Sequence, residues 1–444
     1  MAISPARVAA FDILLRVDQQ DAYASELLHA SSYARLSLAD HGLATELVMG
    51  VLRWRSLLDQ RITQRSSLKL SKLDPEVLAC LRLAAYQLLY LDRVPEHAAV
   101  HESVELVKRA RKRSAVPFVN AVLRSFKTRN CEGDSNLIGQ AATVAELAAA
   151  SAHPQWLVER WARVFGFPIA RQICRYDQHI PVASISIRES LIESELESQG
   201  VKLAPGNLLM TARRVIAGDL ARTQAFRQGR VAIQDEASQL VALLVGKAAR
   251  ILDCCAAPGG KTRLLAERNP EAGIVAVELH PHRARLLRKL VPAKNVQVIT
   301  ADMRALPIAQ FFDRVLVDAP CSGTGTLARN PEIKWRLKTR DLLDLQARQL
   351  TILQSAMQRV APGGGLVYST CSLEPEENQS VVESALSADS SFRLADGREQ
   401  LQQVHSQGEL AWSDPDTLIS GQYLRTIPGV HPCDGFFAAI LQKS

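Results

Sequence analysis

The sequence predicts a multidomain chain: an all-α segment, then a small α+β segment, then a doubly wound α/β sheet. Three observations carry this. Apolar stripes at helical spacing fill the chain to about Phe126, an alternating run (Ala183-Ser-Ile-Ser-Ile187) opens the middle, and from Arg250 onward short apolar runs alternate with helical patterns. At 444 residues the chain exceeds what one core serves, and its 47% hydrophobic and 22% charged content is that of a globular protein.

In the first segment Ser4-Pro5 supplies an N-cap and an N1 proline, and Val8, Phe11, Ile13, Leu14 and Leu15 supply the stripe. Further helical blocks fall at 42–58, 75–91, 97–111 and 117–126, separated by turns such as Asp74-Pro75 and Val94-Pro95. The domain is placed at 1–130, with its most basic stretch at Lys108, Arg109, Arg111, Lys112 and Arg113. Of the net charge of +7, most lies there: residues 1–130 hold 19 Lys and Arg against 13 Asp and Glu. That asymmetry suits a polyanionic partner as well as it suits a solvated basic face.

The chain turns polar at 127–134, and 131–150 is read as a linker. The α+β segment is placed at 151–240, with strands at 183–187, 208–216 and 230–234 and a helix at 191–199. In the third segment, 241–444, strands are expected at 251–253, 274–278, 296–300, 315–318, 366–369 and 436–441. Helices at 262–268, 282–290, 340–360 and 377–386 complete a parallel, Rossmann-like sheet. No apolar run approaches the roughly 20 residues of a membrane helix, and Arg7, Asp12 and Arg16 interrupt the place of a signal-peptide core, so a cytoplasmic protein is expected.

The chemistry concentrates at the ends of the expected strands. Asp318-Ala319-Pro320-Cys321 closes one and Ser369-Thr370-Cys371-Ser372 another, so both thiols face the crevice where such sheets bind ligands. Eight cysteines in so long a chain are no disulfide framework, and no Cys-x-x-Cys pair or Cys/His set suits a metal. After the first strand, Asp253-Cys-Cys-Ala-Ala-Pro-Gly-Gly-Lys-Thr262 is a small-residue turn opening a helix that satisfies neither the dinucleotide nor the P-loop pattern. Glu278, about 20 residues on, can bind two ribose hydroxyls, and Asp302 can accept from an adenine amino group. Taken singly each acid could equally be a helix cap or a solvated charge. Together they suit S-adenosylmethionine.

At Cys255-Ala-Ala-Pro-Gly-Gly-Lys261, Asp318-Ala-Pro-Cys-Ser-Gly-Thr-Gly325 and Thr370-Cys-Ser372 the sequence resembles the RNA cytosine-C5 methyltransferases of the RsmB/NOL1/NOP2/Sun family. The helical first third is similar to NusB-type RNA-binding modules, the middle segment is RRM-like, and this fusion resembles the members acting on 16S ribosomal RNA. Further matches are Ser151-Ala-His-Pro-Gln-Trp156, Gln234-Asp-Glu-Ala-Ser-Gln239, Asn330-Pro-Glu-Ile-Lys-Trp335, Pro375-Glu-Glu-Asn378 and Asp434-Gly-Phe-Phe437. Glu278 replaces the usual Asp, and Ile187-Arg-Glu189 lacks an expected Asn. The resemblance implies that Cys255, Ala256, Ala257, Pro258, Gly259, Gly260, Lys261, Glu278, Asp302 and Asp318 line the S-adenosylmethionine site. It further implies Cys371 as nucleophile and Cys321 as release residue, acting on 16S ribosomal RNA before the small subunit is fully assembled, with a monomer as the default.

Cytosine C5 is too electron-poor to attack a methyl sulfonium, so a thiolate must first add at C6, and Asp318 is placed to serve the ring nitrogen where charge develops. The remaining cysteines, Cys80, Cys131, Cys174, Cys254 and Cys433, read as small hydrophobes. The target base must leave its stack. Arg329, Lys334, Trp335, Arg336, Lys338 and Arg340 are read as RNA contacts, against the plainer reading of an exposed helix start. A DNA methyltransferase of this chemistry would need only the Pro-Cys thiol, so the second thiol favours RNA. Another RNA target or a non-catalytic RNA-binding assembly factor remain the alternatives.

Overall fold

In a computed structural model, which describes residues 3–20, 22–33, 35–126 and 134–444, the chain divides into two units: Met1–Ile180 with Leu327–Arg336, and Pro181–Thr326 with Leu337–Ser444. In the first, helices Pro5–Gln20, Leu38–Arg53, Arg55–Thr63, Pro75–Tyr90, Glu96–Arg109 and Val116–Arg124 enclose one core around Phe11, Leu47, Leu81 and Val107. The block expected at 42–58 is two helices: Ser37 caps the first by accepting from Asp40 N, and the chain breaks at Trp54. Residues 131–150, expected as a linker, carry helices Asp134–Gln140 and Val144–Ala150. A capping box, Thr143 with Glu146, starts the second, a signal that outweighs the polar composition before it. Residues 151–177, expected in the α+β segment, form helices Gln155–Phe165 and Phe167–Asp177 of this unit. Cys131 and most of the polar stretch 127–134 lie outside the described residues.

Leu327–Arg336 corrects a functional expectation. Lys334 is only 2% exposed, and its Nζ donates to the carbonyls of Arg53 (2.9 Å) and Ala152 (3.0 Å). Burial pushes its pKa down. Trp335 Nε1 donates to Leu52 O at 2.6 Å, Arg336 donates to the carbonyls of Val17 and Ala22, and Glu332 accepts from Ala24 N at 2.8 Å. Lys334, Trp335 and Arg336 therefore spend their donors on this unit's backbone rather than on RNA. Lys334→Met is expected to cost about 2–4 kcal/mol in urea unfolding, because two buried carbonyls lose their donor. The salt dependence of polyanion binding should not change.

In the second unit a three-stranded antiparallel sheet, β1 (Ala183–Ser186), β2 (Lys202–Pro205) and β3 (Ala212–Ala217), runs in the order β1-β3-β2 and packs on helix Ser190–Ser198 through Ile185, Leu196 and Val201. The strand expected at 230–234 contributes one bridge, Ile185 to Ile233, and β2 had no alternating signal.

The large sheet comprises β4 (Arg250–Asp253), β5 (Gly273–Glu278), β6 (Val296–Thr300), β7 (Phe312–Asp318), β8 (Val360–Thr370), β9 (Phe392–Ala395), β10 (Ile419–Ser420), β11 (Tyr423–Thr426) and β12 (Phe436–Lys443). Its order is β10-β11-β12-β8-β7-β4-β5-β6, with β9 on β12. Pairing is parallel from β6 through β8. It is antiparallel from β8 onward, so the sheet is mixed where a parallel one was expected. Alternation along the strands builds two cores. Ile251, Leu316, Val367 and Ile440 meet helices Glu236–Val245, Gly260–Arg268 and Gly397–Ser406, while Leu252, Val315, Val317 and Phe437 meet Asp341–Met357 and Gln379–Ala388.

Candidate active site

β4 lies between β5 and β7, so the strand order reverses there, and the crevice at the carboxyl ends of β4 and β7 is the place such a sheet offers a ligand. The loop leaving β4 turns at Gly259, the N-cap of helix Gly260–Arg268, whose φ of +120° favours glycine. A Cβ there would stand 2.7 Å from both Leu287 Cδ1 and Val291 Cγ2. A Cβ at Gly260 would press on the Gln234 amide. The Ala257–Pro258 bond is cis. Cys255 and Cys254 are thiols held protonated by burial.

Asp253, closing β4, is buried. Thr262 Oγ1 donates to its Oδ2 at 2.7 Å, and its Oδ1 has no hydrogen-bond partner. A cofactor with ammonium or hydroxyl donors would complete that acceptor, so the residues fit S-adenosylmethionine on chemical grounds. Burial raises the Asp253 pKa from an ordinary 3.8 to about 6. The fold thus keeps this proton longer than the unfolded chain does. The group's stabilising contribution is intact below 3.8 and is lost as pH rises through about 6. Wild type is therefore expected to lose about 2 kcal/mol relative to Asp253→Asn between about pH 4 and about pH 7, measured as urea midpoints.

Glu278, closing β5, is buried, and its Oε1 accepts from His280 N at 2.8 Å. Asp302 follows β6, caps the short helix Met303–Ala305 and is held by the Arg304 guanidinium at 2.6 Å, a hydrogen bond that lowers its pKa. The cap reading of Asp302 is thus realised in this structure, and contact with an adenine amino group would have to compete with Arg304.

Asp318 pairs in register with Ser369, which sets the β7 and β8 ends side by side. Ser369 Oγ donates to Asp318 Oδ1 at 2.9 Å and Lys261 Nζ to Oδ2 at 2.8 Å, so the glycine-loop lysine and the Pro-Cys loop share one carboxylate. Beyond these strands the half-buried Cys321 and Cys371 bring their sulfurs to 3.3 Å. The contact with Cys371, then burial, pushes the Cys321 thiol well up. The sulfurs are within hydrogen-bond distance, and either thiol can donate to the other.

The residues that build this pair went unassigned in the sequence. Glu377 is fully buried, accepts from Ser322 N at 2.7 Å, Gln349 Nε2 at 2.9 Å and Ser372 Oγ at 2.5 Å, and also accepts from Ser322 Oγ. Glu236 similarly accepts from Leu208 N (2.7 Å) and Leu209 N (2.9 Å), while Asp235 caps the same helix and accepts from Asp434 N at 3.2 Å. The only sequence signals for these acids were the Gln234–Gln239 and Pro375–Asn378 motifs. Among the described residues no cluster of His, Cys, Asp and Glu could hold a metal ion, and no helix is long and apolar enough to cross a membrane.

Residues 241–442 match the family described as 16S rRNA methyltransferase RsmB/F, and residues 4–128 match the NusB family. The probable ribosomal RNA small subunit methyltransferase B of Bacillus subtilis (strain 168) is 35% identical over 391 residues, spanning 85% of this chain and 87% of its own. The ribosomal RNA small subunit methyltransferase B of Vibrio cholerae is 33% identical over 421 residues, spanning 91% and 90%. The crystal structure of PH0851 matches with a TM-score of 0.78 at 24% identity over 100% of both chains. That of NSun6 from Pyrococcus horikoshii with SFG matches with 0.56 at 20% identity, covering 66% of this chain and 99% of that one. These two likenesses show the fold.

Proposed function

Because the chain belongs to the 16S rRNA methyltransferase RsmB/F family, we propose that it methylates C5 of a cytosine in 16S ribosomal RNA through a covalent adduct between Cys371 and C6. The observation that carries the covalent reading is the pair of sulfurs 3.3 Å apart at the ends of adjacent parallel strands. One thiol suffices to add to a pyrimidine. A second in contact with it supports a separate role in release.

S-adenosylmethionine is the cofactor, and when bound it supplies an electrophilic methyl group. Cys255, Ala256, Ala257, Pro258, Gly259, Gly260, Lys261, Glu278, Asp302 and Asp318 would hold it. In this reading Cys371 forms the sulfur–carbon bond at C6 as a thiolate, its proton having passed to solvent. The ring's C5=C6 electrons are displaced toward C5 and the ring nitrogen. The Asp318–Lys261 pair stands at the β7 end to meet that charge by hydrogen bonding and electrostatic attraction. Once C5 carries the new methyl group, a base takes its proton, the C5=C6 bond re-forms and Cys371 leaves as thiolate. Cys321 is that base in this reading: its contact with Cys371, the first cause of its raised pKa, ends once that sulfur is bonded to carbon, so it releases its own proton to solvent and accepts the one from C5.

The basic first unit is the module proposed to engage the RNA, before the small subunit is fully assembled and with the enzyme acting as a monomer. Methyl transfer from labelled S-adenosylmethionine to unmodified 16S ribosomal RNA, with and without ribosomal proteins, tests the reading once the product is mapped by bisulfite. One protected cytosine in free RNA is expected. Transfer to neither form would sink the 16S assignment.

A further inference from the structure

The two thiol loops leave the sheet after Asp318 of β7 and Thr370 of β8, the latter still paired with Phe437 of β12. Direct bonds join them, from Gly325 N to Cys371 O and from Leu373 N to Thr324 Oγ1, both 2.9 Å, and a buried carboxylate joins the residues next to the two thiols. Glu377 Oε2 accepts from both Ser322 Oγ and Ser372 Oγ, the hydroxyls directly after Cys321 and Cys371, while Oε1 accepts from Ser322 N and Gln349 Nε2. Gln349 also donates to Pro320 O at 2.9 Å, the residue before Cys321. Glu377 itself is pinned: Tyr368 OH donates to its carbonyl at 2.6 Å, and its neighbour Asn378 donates to Ser372 O at 2.9 Å while accepting from Thr370 Oγ1 at 2.5 Å.

We infer that Glu377 is a positioning residue for the two-thiol chemistry, holding the Cys321 and Cys371 loops in the one register that presents both sulfurs to the same base. The inference rests on the proposed roles of those two thiols. All four groups seen donating to this carboxylate are neutral, so its burial is not compensated by a cation, and an apolar side chain would fill the space at less cost in desolvation. The carboxylate's particular property is that it only accepts. Both serine hydroxyls must then donate, which fixes their rotamers and with them the two loops. A carboxamide at 377 has the same shape but turns one acceptor into a donor. One serine must then reverse its role, which the fold can absorb and the register cannot.

Glu377→Gln, Ser322→Ala and Ser372→Ala test this, with Cys321→Ala in parallel. The first readout needs neither RNA nor cofactor: crosslinking of Cys321 to Cys371 by dibromobimane, located by peptide mapping. The second is the gel-stable protein–RNA adduct, alongside kcat and the Kd for S-adenosylmethionine. Glu377→Gln is expected to crosslink several-fold less and to turn over roughly 10–100-fold more slowly. Its Kd should stay within about twofold, and adduct should accumulate because release requires Cys321 in place. Wild-type crosslinking and turnover in Glu377→Gln would overturn the inference. So would a parallel fall in cofactor affinity, melting temperature and rate without adduct, the mark of a merely structural residue. If Glu377→Gln does not fold, the two serine variants must show the reduced crosslinking, and normal crosslinking in both overturns the inference. If Cys321→Ala traps no adduct, the two-thiol reading fails instead, and the crosslinking yield still decides whether Glu377 sets the register.

Discussion

Cys371→Ala is expected to lose methyl transfer by roughly 10⁴-fold or more, about 5.5 kcal/mol of barrier, because without C6 addition C5 has no electrons to offer. Binding of S-adenosylmethionine, read by equilibrium dialysis, should survive, since the glycine loop and Asp253 are untouched. Cys321→Ala is expected to behave differently: addition and methyl transfer proceed, release stalls, and a protein–RNA adduct resistant to denaturing gel accumulates. The asymmetry rests on the proposed roles of the two thiols, whose sulfurs lie 3.3 Å apart. A Cys371→Ala enzyme that still methylates, or an adduct that forms through Cys321, would sink the assignment.

The parallel half of the large sheet was legible because each strand is short, apolar and bounded by an acid or a small-residue turn. Asp253, Glu278 and Asp318 all close strands as expected. The antiparallel half was less so. β9, β10 and β11 run four residues or fewer, too short for a period to declare itself, and no strand pattern fixes the direction in which β12 runs. The candidate site's strand-end residues were legible as residue types, whereas the buried acids Glu377 and Glu236 were not. A carboxylate that accepts from loop amides and serine hydroxyls leaves no mark in sequence spacing, because its partners lie between 5 and 55 residues away. Lys334 and Trp335 misled for a related reason. Cations beside an aromatic look alike whether their donors face phosphates or buried carbonyls, and only burial separates the two.

Gly325→Ala is expected to disable the enzyme without touching either thiol. Gly325 N donates to Cys371 O at 2.9 Å, and Gly325 O accepts from Gly435 N at 2.7 Å, so the Cys371 backbone is tied through this glycine to the loop before β12. A Cβ at 325 would sit 2.2 Å from Gly435 O and 2.7 Å from Gly435 C, atoms of a main chain that cannot rotate away. Gly435 cannot retreat freely either, since a Cβ on its own Cα would already meet Leu373 Cδ2 at 2.7 Å. Relief must come from parting the two loops, which breaks one or both hydrogen bonds and displaces Cys371. The cost should be about 2–4 kcal/mol of stability, from overpacking and a lost bond. A shift of Cys371, the proposed nucleophile, on the order of 1 Å should cost a further ~100-fold in kcat. The same substitution at Gly42, where a Cβ meets nothing within 4 Å inside helix Leu38–Arg53, should instead gain about 0.5–1 kcal/mol and leave kcat unchanged. Urea unfolding and single-turnover methylation of the two variants side by side separate the contributions. A Gly325→Ala enzyme with normal single-turnover rate would show that the Cys371 loop does not depend on this backbone contact.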